Sequence, residues 1–375
     1  MSAIIGSKKI NFSEEQGMLL DVAREFVKDK SPGSEVRKYL ESEEGFSQPV
    51  WQELVELGWT GINLPESVGG SGLGIAALIP VVESMGKGLM GTPLVSTVLA
   101  SELIRRAGGI AEEDILEDIS GGCAATVAYL DKSDWGGSNT GVTVDAQGML
   151  SGSKFMVSDA AQAAWIAVVG SNEAGEAIVA LVAGDDVSVD AQEGHTLIDL
   201  TKRAATIDFT GIKAQRVLSG AKVESAIRDY LLIGALLTAA EAVGSTSACL
   251  AGIVDYLKTR KQFGKLIGSF QALKHPTVDI YVGMEQSRSL VYHASSEIDD
   301  GPLSAEAEIA CRMAKAKASE TIQYAGDRSV QFHGGFGFTW ECDSSLFIRR
   351  AAWSQQQFGD AMHHRKRLAP LLLDA

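Results

Sequence analysis

A single glutamate, Glu241, interrupts the apolar run from Leu231 to Val243 of this 375-residue chain. Flanked by Ala239, Ala240, Ala242 and Val243, such a carboxylate has either a partner or a purpose, because burying an unpaired charge is costly. Further on, Arg260 and Gln262 stand just before Phe263-Gly264, with Leu266-Ile267 and Phe270-Gln271 following, where one long helical pattern breaks and another begins. A guanidinium and an amide can hold a pyrophosphate, and an aromatic ring beside them can lie against a flat heterocycle. The segment Gln331 to Gly337 is a second candidate, since its Gly334-Gly335 pair lets backbone approach a ligand closely. His333 reads as a packing residue, and no His or Cys lies at metal spacing, so no metal is expected. The glycines from Gly69 to Gly74 have no preceding strand and no Lys-Ser/Thr pair, which favours a tight turn over a phosphate loop.

Three blocks of the chain must position these groups. Ser13-x-x-Gln16 fits a capping box opening a first helix, and Ala76 to Gly108 reads as two helices interrupted near Gly86 to Pro93, so residues 1–118 are predicted to form an α domain. The runs Ala124–Leu130, Gly141–Val144, Met149–Val157, Ala163–Val169, Ala177–Val182 and Ala204–Phe209 are β-prone and separated by turn residues. They predict a compact antiparallel β domain over 119–222. From Glu224 the apolar period returns to 3.6, which predicts a C-terminal four-helix bundle over 223–375. The fold class is α+β.

Composition narrows the function. With 45% hydrophobic and 22% charged residues the chain reads as a soluble globular protein. A net charge of −15 argues against a nucleic-acid partner, although a local basic pocket can still take an anionic ligand. Cys123, Cys249, Cys311 and Cys342 show no C-x-x-C spacing and read as reduced thiols. Met1 to Asn11 lacks the apolar core of a signal peptide, and no uninterrupted apolar run reaches the roughly 18 residues of a membrane span. No membrane partner and a cytoplasmic location are expected.

Arg260 to Gln271, R-x-Q-F-G-x-x-I-x-x-F-Q, resembles the signature of acyl-CoA dehydrogenases, flavin enzymes that desaturate acyl-CoA thioesters between Cα and Cβ. Gln331 to Gly337 is similar to the family's Q-x-x-G-G-x-G motif, and Trp59 to Gly74 looks like its N-terminal motif. The three follow the family's order over nearly the whole chain. The resemblance implies an α, β, α succession with FAD between the β domain and the C-terminal bundle. It implies that Arg260, Gln262, Phe263, Gln331, Gly334 and Gly335 reach across a dimer interface to the pyrophosphate and adenine of a neighbour's FAD. It further implies an acyl-CoA substrate, electron-transfer flavoprotein as acceptor, and a homotetramer or an α2β2 heterotetramer with a related subunit.

The departures from the family pattern fall on the chemistry. Arg349-Arg350-Ala351 takes the place of R-D-A, and Phe358-Gly359-Asp360 the place of E-G-T, whose Glu is the usual base. Phe358 cannot abstract a proton, although its backbone N–H can donate to a thioester oxygen. A second base position known in the family falls on Gly234. Glu241 lies seven residues on, nearly two turns, so it projects from the same helix face about 10 Å along the axis. A bacterial branch acting on steroid side-chain thioesters has an A-A-E-x-V-G segment similar to Ala239–Gly244, and there the Glu serves as base. In this role desolvation would raise the Glu241 pKa. Leu130 to Gly137 replaces the family's T-E-P-x-A-G-S-D segment, losing the flavin-contacting Thr at Leu130, while Ser158 still fits a flavin contact. Two roles stay open: a catalytic subunit with Glu241 as base, and a partner subunit without its own turnover that lends Arg260, Gln262 and Gly334-Gly335 to a companion's FAD. A flavin oxidase or monooxygenase on the same scaffold is a third.

Overall fold

The computed structural model describes residues 14–108 and 112–373; Ser13 of the expected capping box and the Met1–Asn11 segment lie outside them. Helices come first: α1 (Glu14–Lys30), α2 (Gly33–Lys38), α3 (Gln48–Glu56), α4 (Gly74–Lys87), α5 (Leu94–Gly108) and α6 (Glu113–Ser120). The predicted interruption after Gly86 is present, with Leu89 at a left-handed φ of 52° between α4 and α5. Strands follow: β1 (Ala125–Ala128), β2 (Thr143–Val144), β3 (Leu150–Ser151), β4 (Ser153–Ser158), β5 (Trp165–Asn172), β6 (Ala177–Ala183), β7 (Gln192–Gly194), β8 (Ala204–Asp208) and β9 (Arg216–Leu218).

The strands make two sheets, one in the order β3-β2-β5-β6-β9 with β1 also on β5, the other β4-β8-β7. One expectation is corrected here. The domain is not purely antiparallel, because β1 and β2 both pair with β5 in parallel. β1 is buried at all four positions and packs under α5, the covering on both faces that parallel pairing normally requires.

The last third is helical. α7 (Ala221–Thr259) runs into a small hairpin, β10 (Lys261–Gln262) and β11 (Lys265–Leu266), followed by α8 (Gln271–Ser296), α9 (Ala305–His333), α10 (Ser344–Gln356) and α11 (Ala361–Leu373). α7, α8 and α9 pack on one another with α10 across α7 and α9, and α11 lies on α9. α7 is apolar and long enough to span a membrane by composition alone, but 83% of its apolar window is buried inside the protein, the burial of a central bundle helix.

α7 also crosses α4 at backbone contact distance. A Cβ on Gly244 would lie 1.8 Å from the Glu83 carbonyl oxygen, and one on Gly86 2.0 Å from that of Glu241. Because both clashes are with helical backbone, Gly244→Ala is expected to destabilise the fold at or above the upper end of the roughly 1–3 kcal/mol of overpacking. A urea unfolding midpoint checks this; an unchanged midpoint would mean that the helices separate freely.

Candidate functional site

Glu241 is buried, and it is paired. Its Oε1 accepts from Lys202 Nζ at 2.6 Å and from Arg350 Nη1 at 2.9 Å. Arg350, on α10, has no exposed surface; it also donates to Asp199 and, at 2.5 Å, to Thr201 Oγ1. The network therefore ties the 199–202 loop of the β domain to α7 and α10. Burial alone would raise the Glu241 pKa, but Arg350 and then Lys202 outweigh it and hold the carboxyl below the ordinary carboxylate range. The expected upward shift is thus reversed. The cation responsible, Arg350, stands where the family pattern has an Asp.

Glu241 still lines a cavity, together with Tyr230 and Thr238 of α7 and with Leu130 and Ser158, the two positions that by resemblance face a flavin. Tyr129, Trp135, Tyr230 and Phe358 line it together. Trp135 stacks on Tyr129 at 5.7 Å with 17° between planes and approaches Phe358 to 4.5 Å, and Phe358 meets Tyr230 edge-on at 5.6 Å. What remains is about 80 Å³, room for a few waters. Ligand pockets measure about 300–1,000 Å³. The free space between these side chains is well below that of a ligand pocket.

Local structure holds both rings in place. Lys154 on β4 is fully buried. Its ammonium donates to the Tyr129 carbonyl at 2.9 Å, Asp131 Oδ1 at 2.5 Å and the Asn139 carbonyl at 2.7 Å, clipping the ends of the loop that carries Trp135 together. Phe358 sits at a left-handed φ of 55°, just past the end of α10. Beneath that turn Lys315, fully buried and pushed by burial down to about 7, donates to the Ser354 carbonyl at 2.9 Å. Sequence reasoning missed Lys154, Lys315 and Asp159. Asp159 lines the cavity beside Ser158, burial pushes its carboxyl above the usual range, and Ser96 Oγ lies 2.6 Å away.

The other six predicted residues gather elsewhere. Arg260, Gln262, Phe263, Gln331, Gly334 and Gly335 line one groove of about 810 Å³. The β10–β11 hairpin turns through Phe263 and Gly264 at φ 52° and 75°, which leaves the Phe263 ring 90% exposed and edge-on to Phe270 at 6.2 Å. His333 packs on Tyr256 at 4.4 Å, with Nδ1 2.7 Å from the Ser329 carbonyl. A Cβ on Gly335 would meet no protein atom within 4 Å, so this chain's own packing gives no reason for a glycine there. The groove thus presents an exposed guanidinium at Arg260, an exposed ring at Phe263 and bare backbone at Gly334-Gly335.

Comparison with known proteins decides the family. Residues 13–113 match the N-terminal domain of acyl-CoA dehydrogenases and residues 224–369 their C-terminal domain. The chain belongs to the acyl-CoA dehydrogenase family. Members are flavoprotein oxidoreductases acting on acyl-CoA thioesters. The chain is 30% identical to acyl-CoA dehydrogenase IpdE2 of Mycolicibacterium smegmatis over 95% of its own length and 98% of that protein. It is 27% identical to the caffeyl-CoA reductase-Etf complex subunit CarC of Acetobacterium woodii, covering 87% and 90%. A solved structure, that of a variant of the Tcur3481-Tcur3483 steroid ACAD, superposes with a TM-score of 0.85 at 27% identity over 97% of this chain and 99% of that one. All four cysteines are free thiols; Cys249, Cys311 and Cys342 are buried and Cys123 partly exposed.

Proposed function

We propose that this acyl-CoA dehydrogenase chain works as one kind of subunit in an α2β2 assembly with a related chain, completing the FAD site of that companion for α,β-desaturation of a bulky acyl-CoA. The observation that carries the reading is the contrast between an open groove holding all six motif residues and a cavity with little free space in the same chain. In this role Arg260 and Gln262 hold the pyrophosphate of the companion's FAD, Phe263 lies against its adenine, and Gly334-Gly335 lets backbone close on it. The flavin supplies the redox chemistry. The bulky acyl group and the two-chain assembly are supported by the steroid enzyme above, named for two gene products. Electron-transfer flavoprotein as acceptor is supported by the relative from an Etf complex.

The surface next to the groove suits a companion. Phe336, Phe338 and Trp340 beyond Gly335, and Val278 and Tyr281 on α8, are 45–73% exposed, and exposed apolar patches of this kind mark interaction sites. Expressed alone, the chain is expected to purify colourless, and with its companion to carry bound flavin. A yellow isolated chain would contradict the proposal.

A second reading rests on Glu241, the carboxylate of α7 that lines the cavity. If it were the base, Glu241→Gln in the assembly would abolish bleaching of the flavin by acyl-CoA. The proposed role instead expects Glu241→Gln to leave bleaching unchanged, because the base then belongs to the companion.

A further inference from the structure

We propose that Trp135, with Phe358 seated on Gly234, is a built-in replacement for the flat ring of a ligand in this chain's own cavity, so that the chain folds and assembles with no ring bound there. The inference rests on the reading that the chain lends its groove to a companion. It concerns what fills the space the chain does not lend.

Gly234 and Phe358 are a matched pair. A Cβ on Gly234 would lie 2.2 Å from Phe358 Cε1 and 2.5 Å from Cζ. Gly234 is in the interior of α7, where glycine is unfavourable relative to alanine. Room for this ring is the reason the structure gives for the glycine. The same two positions are those at which, by resemblance, other members carry the catalytic Glu. Filling one with an aromatic ring and emptying the other to receive it excludes a base at both.

Trp135 completes the replacement. Its indole is a flat heterocycle that meets two rings, Tyr129 nearly parallel and Phe358 tilted by 34°. Stacking such as that on Tyr129 is one of the favoured geometries of aromatic pairs. The loop is pinned rather than hinged: Lys154 fastens its base, and Asn139, at φ 48°, donates from Nδ2 to the Asp134 carbonyl at 2.9 Å. Leu130, in place of the hydroxyl a flavin would meet, lines the cavity as an apolar wall. The slot occupied by the indole therefore has the chemistry of a site for a flat, uncharged aromatic ring.

The test is cavity rescue on the full chain. Engineered apolar cavities take up small aromatics, so Trp135→Gly is expected to lower the thermal midpoint by several degrees, and millimolar indole or saturating lumichrome to restore most of the loss. The wild-type midpoint is expected to be unmoved by either probe. If Trp135→Gly does not fold, Trp135→Val is measured in the same way. A wild-type midpoint raised by lumichrome would overturn the inference, as would a folded variant that neither probe stabilises. Failure here is separable from failure of the proposed function. Loss of rescue with Arg260 still needed for the companion's flavin sinks only the replacement, whereas an Arg260→Ala assembly with undiminished flavin sinks the lending role whatever Trp135 does.

Discussion

Arg350→Leu is expected to cost about 3–5 kcal/mol of stability, the range for removing one partner of a buried ion pair. Arg350 is fully buried and is the dominant cation beside both Asp199 and Glu241. Without it the two buried carboxylates share only Lys202. The loss should depend on pH in a definite direction. In the native protein both acids are held below their ordinary pKa values, so their contribution is complete above about pH 4 and fades as pH falls through the lowered native values. In the variant burial dominates, the native pKa values rise above the unfolded ones, and the same acids oppose folding increasingly as pH climbs through about 4. Urea midpoints at about pH 7 and about pH 4 check this. The gap between wild type and variant should be widest at the neutral end; a gap that grows on acidification would mean that the network does not hold the acids ionised.

Arg260→Ala is expected to weaken flavin retention in the assembly by about 1.5–3 kcal/mol, the worth of a charged hydrogen bond, or roughly ten- to a hundredfold in affinity. The isolated chain should keep its stability, because Arg260 is exposed and only its backbone is engaged: the N–H donates to the Tyr256 carbonyl and the carbonyl accepts from Ile267 N–H, both at 2.9 Å. Equilibrium dialysis of the co-purified assembly against graded FAD reads the effect. Equal loss from Arg260→Lys would indicate that planar, bidentate recognition is required. No loss from Arg260→Ala would sink the lending role.

What could be read from the sequence was what lies close along it. The groove was legible because its six residues fall in two short motifs, each at the end of a long helical pattern, and the hairpin turn and helix end that place them are local. The partners of Glu241 were not legible. Lys202 lies 39 residues before it and Arg350 109 after, and an apolar run around a carboxylate looks the same whether the acid is poised or neutralised. The parallel pairing of β1 with β5 was hidden for a related reason, since the register of Ala125 on Trp165 joins strands far apart in the chain and leaves no periodic trace. The loss of the T-E-P segment was visible, but that Trp135 turns inward depends on Lys154, which in sequence is an ordinary strand lysine. In sequence Gly234 and Phe358 each show only the lack of a base. Only their contact explains why both changed.

Counting bound flavin against chain concentration in the native two-chain assembly tests the lending role most directly. One flavin for every two chains, held between this chain's groove and the companion's cavity, is the expected ratio. One flavin on every chain, with Trp135 and Phe358 displaced to admit it, would contradict it.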